Sequence, residues 1–190
     1  MSRALSFALL AGLCLSLATP TRAADPTAFM AKFSGEWLGT GQLLIGSDNG
    51  LQFHCALNGD PSRTRLTFGM TGRCWMGKLS APVHAQLRFH AEGDRFYGQF
   101  MDGAEGDGVD VVGERAGEGF AMQLSRGMVQ GRLTADAVNS DQLKVMLYYH
   151  SRAHNQDIPV VAMGFTRKGA GATLPEYLPE TLTGSLPQAE

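Results

Sequence analysis

From Gly35 onward, apolar residues fall on every second position, and this period of two recurs almost to the end of the chain. Trp37, Leu43 and Ile45 share one face of a first strand, with Gly39 and Gly41 between them. Leu51, Phe53, Cys55 and Leu57 alternate with Gln52, His54 and Asn58, and Leu66, Phe68 and Met70 alternate with Arg65 and Thr67. Val83, Ala85, Leu87 and Phe89 alternate with His84, Gln86, Arg88 and His90. Phe96 and Phe100 flank Gly98, and Phe120, Met122 and Leu124 follow. Leu143, Val145, Leu147 and Tyr149 precede a last run with Val161, Met163, Phe165 and Arg167.

Turn-forming clusters separate these runs: Ser47-Asp48-Asn49-Gly50, Asn58-Gly59-Asp60-Pro61, Glu92-Gly93-Asp94, Ala116-Gly117-Glu118-Gly119 and Asn139-Ser140-Asp141. One helix is predicted ahead of the strands. Asp25 reads as its N-cap and Pro26 as its first residue, and Phe29, Met30 and Phe33 run on to a stop at Ser34-Gly35. About nine to eleven short strands, each with one apolar face, predict an all-β, up-and-down antiparallel barrel with a short N-terminal helix. A β-sandwich shares this strand grammar and is the alternative.

Residues 1–23 carry a different pattern. Arg3 precedes an apolar run from Leu5 to Leu17, and Thr21-Arg22-Ala23 places small residues where a signal peptidase reads them. The pattern predicts a leader cleaved after Ala23 and a periplasmic or secreted product, since the run is too short for a membrane span. Cys14 raises lipidation, but Leu13 stands where such a signal wants a small residue. Residues 24–168 then form the barrel domain, and 169–190 read as a Pro/Gly-rich tail with Pro175, Pro179 and Pro187. Leu174, Tyr177, Leu178 and Leu182 are the tail residues suited to packing on the outside of the barrel.

Composition narrows the function. Hydrophobic residues make up 44% and charged residues 18%, as a compact domain requires. Without Arg3 and Arg22, 14 basic residues face 18 acidic ones, and no basic patch with stacking aromatics suggests nucleic acid. Cys55 and Cys74 remain after cleavage, and two cysteines in an exported domain predict a disulfide. It would close a loop of about 20 residues and contribute roughly 3 kcal/mol. A simple 51–57/64–70 hairpin sets Cys55 opposite Leu66 instead, so the bridge demands a long or irregular connection over 58–71.

Lys32-Phe33-Ser34-Gly35-Glu36-Trp37, continuing Leu38-Gly39-Thr40-Gly41, resembles the opening segment of calycin-like barrels: lipocalins, fatty-acid-binding proteins and, in its Gly-x-Trp-x-Gly-x-Gly spelling, nitrobindin-like proteins. The resemblance implies that Trp37 plugs one barrel end while Arg167, ending the last strand, packs across it. It covers both chain ends but not the middle. The whole sequence also resembles small exported barrels of alphaproteobacteria with a Trp-Gly-Gly opening and two cysteines near the second and third strands; this supports compartment and fold and supplies no activity.

The interior set inferred from the alternation is Phe53, Phe68, Met70, Phe89, Phe96, Phe100, Met122, Met163 and Phe165. Large rings and flexible thioethers suit an adaptable apolar cavity, though they would equally fill a dry core. His54, His84 and His90 fall on outward faces and read as surface residues. His150 and His154 have the i, i+4 spacing that chelates metal on a helix, but they fall between the last two strands and lack a third ligand. The haem histidine of nitrobindin-like barrels does not carry over, because the strand Pro159 to Arg167 contains none. Asp102, Glu105, Asp107 and Asp110 stand among glycines in a spacing that matches no calcium loop, so a solvated connection is the reading. No nucleophile elbow, Cys-His pair or phosphate loop occurs. The chain therefore reads as a non-enzyme without metal or cofactor, binding a small apolar ligand inside the barrel. The alternative is a packed barrel serving as an envelope-associated scaffold, with an outside patch involving Trp75, Tyr148 or the tail.

Overall fold

A computed structural model describes residues 25–101 and 108–170. A six-residue helix, α1 (Pro26–Ala31), precedes ten strands: β1 (Gly35–Leu43), β2 (Gln52–Ser62), β3 (Thr67–Met76), β4 (Leu79–His90), β5 (Arg95–Met101), β6 (Val109–Ala116), β7 (Gly119–Arg126), β8 (Val129–Asn139), β9 (Gln142–Ser151) and β10 (Gln156–Arg167). Each strand pairs antiparallel with its neighbour in sequence, and β1 pairs with β10, which closes the barrel. No sheet edge is left along the ladder, so closure rather than a sandwich answers the edge problem.

The helix starts where the sequence predicts. The carboxylate of Asp25 accepts from the backbone N–H of Thr27 at 2.9 Å, and that bond holds the Asp25 pKa below the usual carboxylate value. The helix lies across one end of the barrel and buries Phe29 and Met30, with Phe33 following in the exit turn. Gly59 in β2 makes room for this exit: a Cβ there would stand 1.9 Å from the carbonyl oxygen of Phe33.

Asn58-Gly59-Asp60-Pro61, expected as a turn, lies inside β2. The turn falls after Ser62, and the longer strands bring Cys55 directly opposite Cys74, with Cα atoms 4.0 Å apart and the two bonded as a disulfide. A regular hairpin therefore carries the bridge, and the expected obstacle disappears. The leader and residues 171–190 of the tail lie outside the described residues, as do Asp102, Glu105 and Asp107; Asp110 is in β6.

Trp37 and Arg167 are register partners at the closure of β1 on β10. The Arg167 guanidinium stands 4.2 Å from the indole centroid, and Trp37, 1% exposed, donates its Nε1–H to the Phe33 carbonyl at 3.1 Å. Arg167 also donates to the carbonyls of Lys32, Ser34 and Ser140. One side chain thus ties the helix exit, the β8–β9 turn and the closing seam together.

Candidate ligand-binding site

The register assigns a face to every strand residue, and burial along the inward face is graded. At the helix-capped end, Phe89 and Leu87 of β4 are buried; Ala85 and Val83 are half-buried, and Ala81 and Leu79 at the opposite end are exposed. In β9, Leu143 and Val145 are buried, Leu147 is half-buried and Tyr149 is exposed. In β7, Phe120 and Met122 give way to half-buried Leu124, and in β2 buried Leu57 and Cys55 give way to Phe53. Among the described residues, an inner wall whose exposure rises toward one end describes a barrel plugged at one end and open at the other.

The plugged half is aromatic. Phe120 is its hub, with ring centroids of Phe29, Phe33 and Phe96 at 4.8, 4.6 and 4.9 Å. Arg115 also enters this end, with its guanidinium 5.6 Å from the Phe29 ring and 5.5 Å from the Phe89 ring, and pairs with Asp94. Among the inferred interior residues, Phe68, Phe89, Phe96, Met122 and Phe165 belong to this buried core. Phe53, Met70, Phe100 and Met163 are half-buried and pack against it from the open half.

At the open end lies a pocket of about 220 Å³, lined by Leu43, Phe53, Cys74, Trp75, Met76, Leu79, Ser80 and Ala81. It sits around the tip of the β3–β4 hairpin. Of the nine residues inferred from the alternation, Phe53 alone lines it. Much of the remaining lining comes from Trp75-Met76-Gly77-Lys78-Leu79, where large apolar residues flank a two-residue turn; Gly77-Lys78 between them is the sequence signal for that turn, and Gly77 takes φ +60° there. Gly41 supports the pocket wall, since a Cβ there would come within 2.3 Å of the Phe53 ring. The open rim also exposes Leu79 (70%), Met128 (80%) and Val129 (58%).

The histidines divide. His84 and His90 are exposed, as expected, but His54 is 8% exposed despite its outward register beside Trp75, which is 7% exposed. Burial pushes the His54 pKa below the usual imidazole value. Trp75 is thus no exposed patch. Tyr148 carries the Arg132 guanidinium 4.3 Å from its ring centroid. His150 ends on the outer surface, its Nδ1 2.9 Å from Asp157, whose other oxygen accepts from Arg132 at 3.0 Å. These bonds, the His150 one foremost, lower the Asp157 pKa. His154 occupies the following turn and is not brought to His150 in any group of three potential metal ligands; among the described residues there is no such group. No helix among the described residues is long and apolar enough to cross a membrane. The cysteine bridge is compatible with an oxidising compartment.

No family model and no curated protein matches the chain. Solved structures do. One is an S-type phycobiliprotein lyase from Guillardia theta, similar at a TM-score of 0.53 and 7% identity over 74% of this chain and 90% of that one. At that identity the likeness is one of fold alone: the two chains share a similar barrel architecture, closed and antiparallel in this chain.

Proposed function

We propose that the mature chain is an exported, non-catalytic barrel that holds a small apolar ligand in its open half. The observation that carries this reading is the gradient along the inner wall: apolar side chains stay reachable from one end while the other is plugged by aromatic rings. A packed scaffold needs no such gradient. The structural neighbour is named a lyase, which raises transfer chemistry. Binding is the better reading because the described pocket lining offers one hydroxyl, Ser80, and no titratable side chain, Cys74 being bridged. Cleavage after Ala23 and a periplasmic address belong to the same proposal.

Native mass spectrometry of protein purified from the oxidising compartment tests it. The expected result is a bound small molecule that organic solvent strips away. A bare mass, together with no uptake of a neutral apolar probe, would overturn it. A second reading draws on the exposed rim residues Leu79, Met128 and Val129: an envelope partner docks on the mouth. Pull-down with Met128 and Val129 changed to Ser separates the two, since neither lines the pocket and only docking would then be lost.

A further inference from the structure

The bridge between Cys55 and Cys74 is not equally reachable at its two sulfurs. Both belong to the inner wall, because the pair stands opposite across β2 and β3 and alternates with outward His54 and Trp75. Cys55 is 4% exposed and sits in the buried core, whereas Cys74 is half-buried and lines the pocket at the open end. A solute in that pocket therefore meets the Cys74 sulfur and not its partner.

The space around Cys74 selects by size and by charge. Its inward lining is Leu43, Phe53, Met76, Leu79 and Ala81. Ser80 alternates outward beside Ala81, and its hydroxyl accepts from Arg73 Nη1 at 3.0 Å on that outer side. A dry apolar cavity of about 150 Å³ holds benzene, so about 220 Å³ takes a single ring with a short arm. Disulfide exchange brings a thiolate to the sulfur, which is one charge whatever the thiol. A carboxylate, sulfonate or ammonium elsewhere on the thiol is a second charge to be desolvated, and no inward lining side chain offers it a partner.

We infer that Cys74 Sγ is an exchange site for small uncharged thiols, which enter by the open end and bind it covalently. The incoming thiolate attacks Cys74 Sγ, the bond to Cys55 breaks, and Cys55 leaves as a thiolate that takes a proton from water. The new S–S bond holds the apolar group of the thiol among Leu43, Phe53 and Ala81. A second thiolate then releases that group as a free disulfide and leaves both cysteines reduced. This rests on the pocket being open to solutes, as proposed above, and goes beyond it by assigning a reactive atom.

Native protein is treated with benzyl mercaptan, 2-mercaptoethanesulfonate or cysteamine, quenched with N-ethylmaleimide and mapped by mass spectrometry. Each rate is divided by the rate for the urea-unfolded chain, which cancels the thiol's own reactivity. The ratio for benzyl mercaptan should exceed that of either charged thiol by about tenfold or more. Cysteamine carries a cation toward a net negative chain, so its exclusion cannot come from overall charge. The first adduct should lie on Cys74, with Cys55 alkylated. Ala81→Trp, which fills the mouth, should lower the benzyl mercaptan ratio by about fivefold or more. Equal ratios for the three thiols, a first adduct on Cys55, or no effect of Ala81→Trp would overturn the assignment. If Ala81→Trp fails to fold, the three thiols on the wild type decide alone. If the neutral dye N-phenyl-1-naphthylamine binds while the ratios are equal, the exchange site alone falls; if the dye does not bind either, the binding role falls with it.

Discussion

Arg167 holds its guanidinium 4.2 Å from the ring centre of Trp37 while its nitrogens donate to three backbone carbonyls, those of Lys32, Ser34 and Ser140. The carbonyls belong to the helix exit and to the β8–β9 turn, so the pair joins segments more than a hundred residues apart. Replacing Arg167 with Ala removes a cation over an indole and several charge-assisted bonds. The expected loss is about 2–4 kcal/mol, read as a lower urea midpoint at unchanged slope. Arg167→Lys should recover less than half, because an ammonium lacks the planar fork.

The bridge between Cys55 and Cys74 staples β2 to β3 next to the pocket wall, which Cys74 lines. Peptide mapping without reductant should recover the two residues in one linked peptide. Cys55→Ala paired with Cys74→Ala should cost about 3 kcal/mol, as expected for closing a loop of this length.

Much of this architecture is legible in the amino-acid order, and the failures are informative. The alternations in β4, β9 and β10 are plain because most of their inward positions hold Leu, Val, Met and Phe. The runs of β6 and β8 are harder to read. Gly113 and Arg115 interrupt the inward face of one, and Gly131, Ala135 and Ala137 make the other too small-sided to read as apolar. Asn58-Gly59-Asp60-Pro61 mimics a turn, yet its glycine serves a close approach to the Phe33 carbonyl, a contact between distant segments. The pocket was hidden for a related reason. Alternation sorts residues into faces but does not say which end of a barrel a helix plugs, and most of the inferred interior set lies on the plugged side.

Gly59→Ala tests that close approach. The added methyl meets backbone oxygen rather than a yielding side chain, so the helix exit must shift. A destabilisation of about 1–3 kcal/mol is expected, with Phe29 and Phe33 loosened in amide exchange of α1. No change in stability would show that α1 does not seat on Gly59.

His54 predicts a pH dependence. Burial lowers its folded pKa, whereas the unfolded chain takes up the proton near 6.5. The unfolded state therefore binds more protons just below pH 6.5, and stability falls as pH drops from 6.5 toward the folded value. Asp25 and Asp157 are lowered carboxylates whose contribution is lost only below about 3.8, a separate window. Urea midpoints between pH 7 and 5 should fall in the wild type, and His54→Gln should flatten the slope.

Fluorescence titration of the wild type and Ala81→Trp with N-phenyl-1-naphthylamine decides whether the open half of the barrel is a binding space. Ala81 is exposed at the mouth, so an indole there fills the pocket without entering the buried core. Saturable binding by the wild type is expected, with at least tenfold weaker binding by Ala81→Trp and an unchanged circular dichroism spectrum. No binding by the wild type, or equal binding by both, would contradict the binding role.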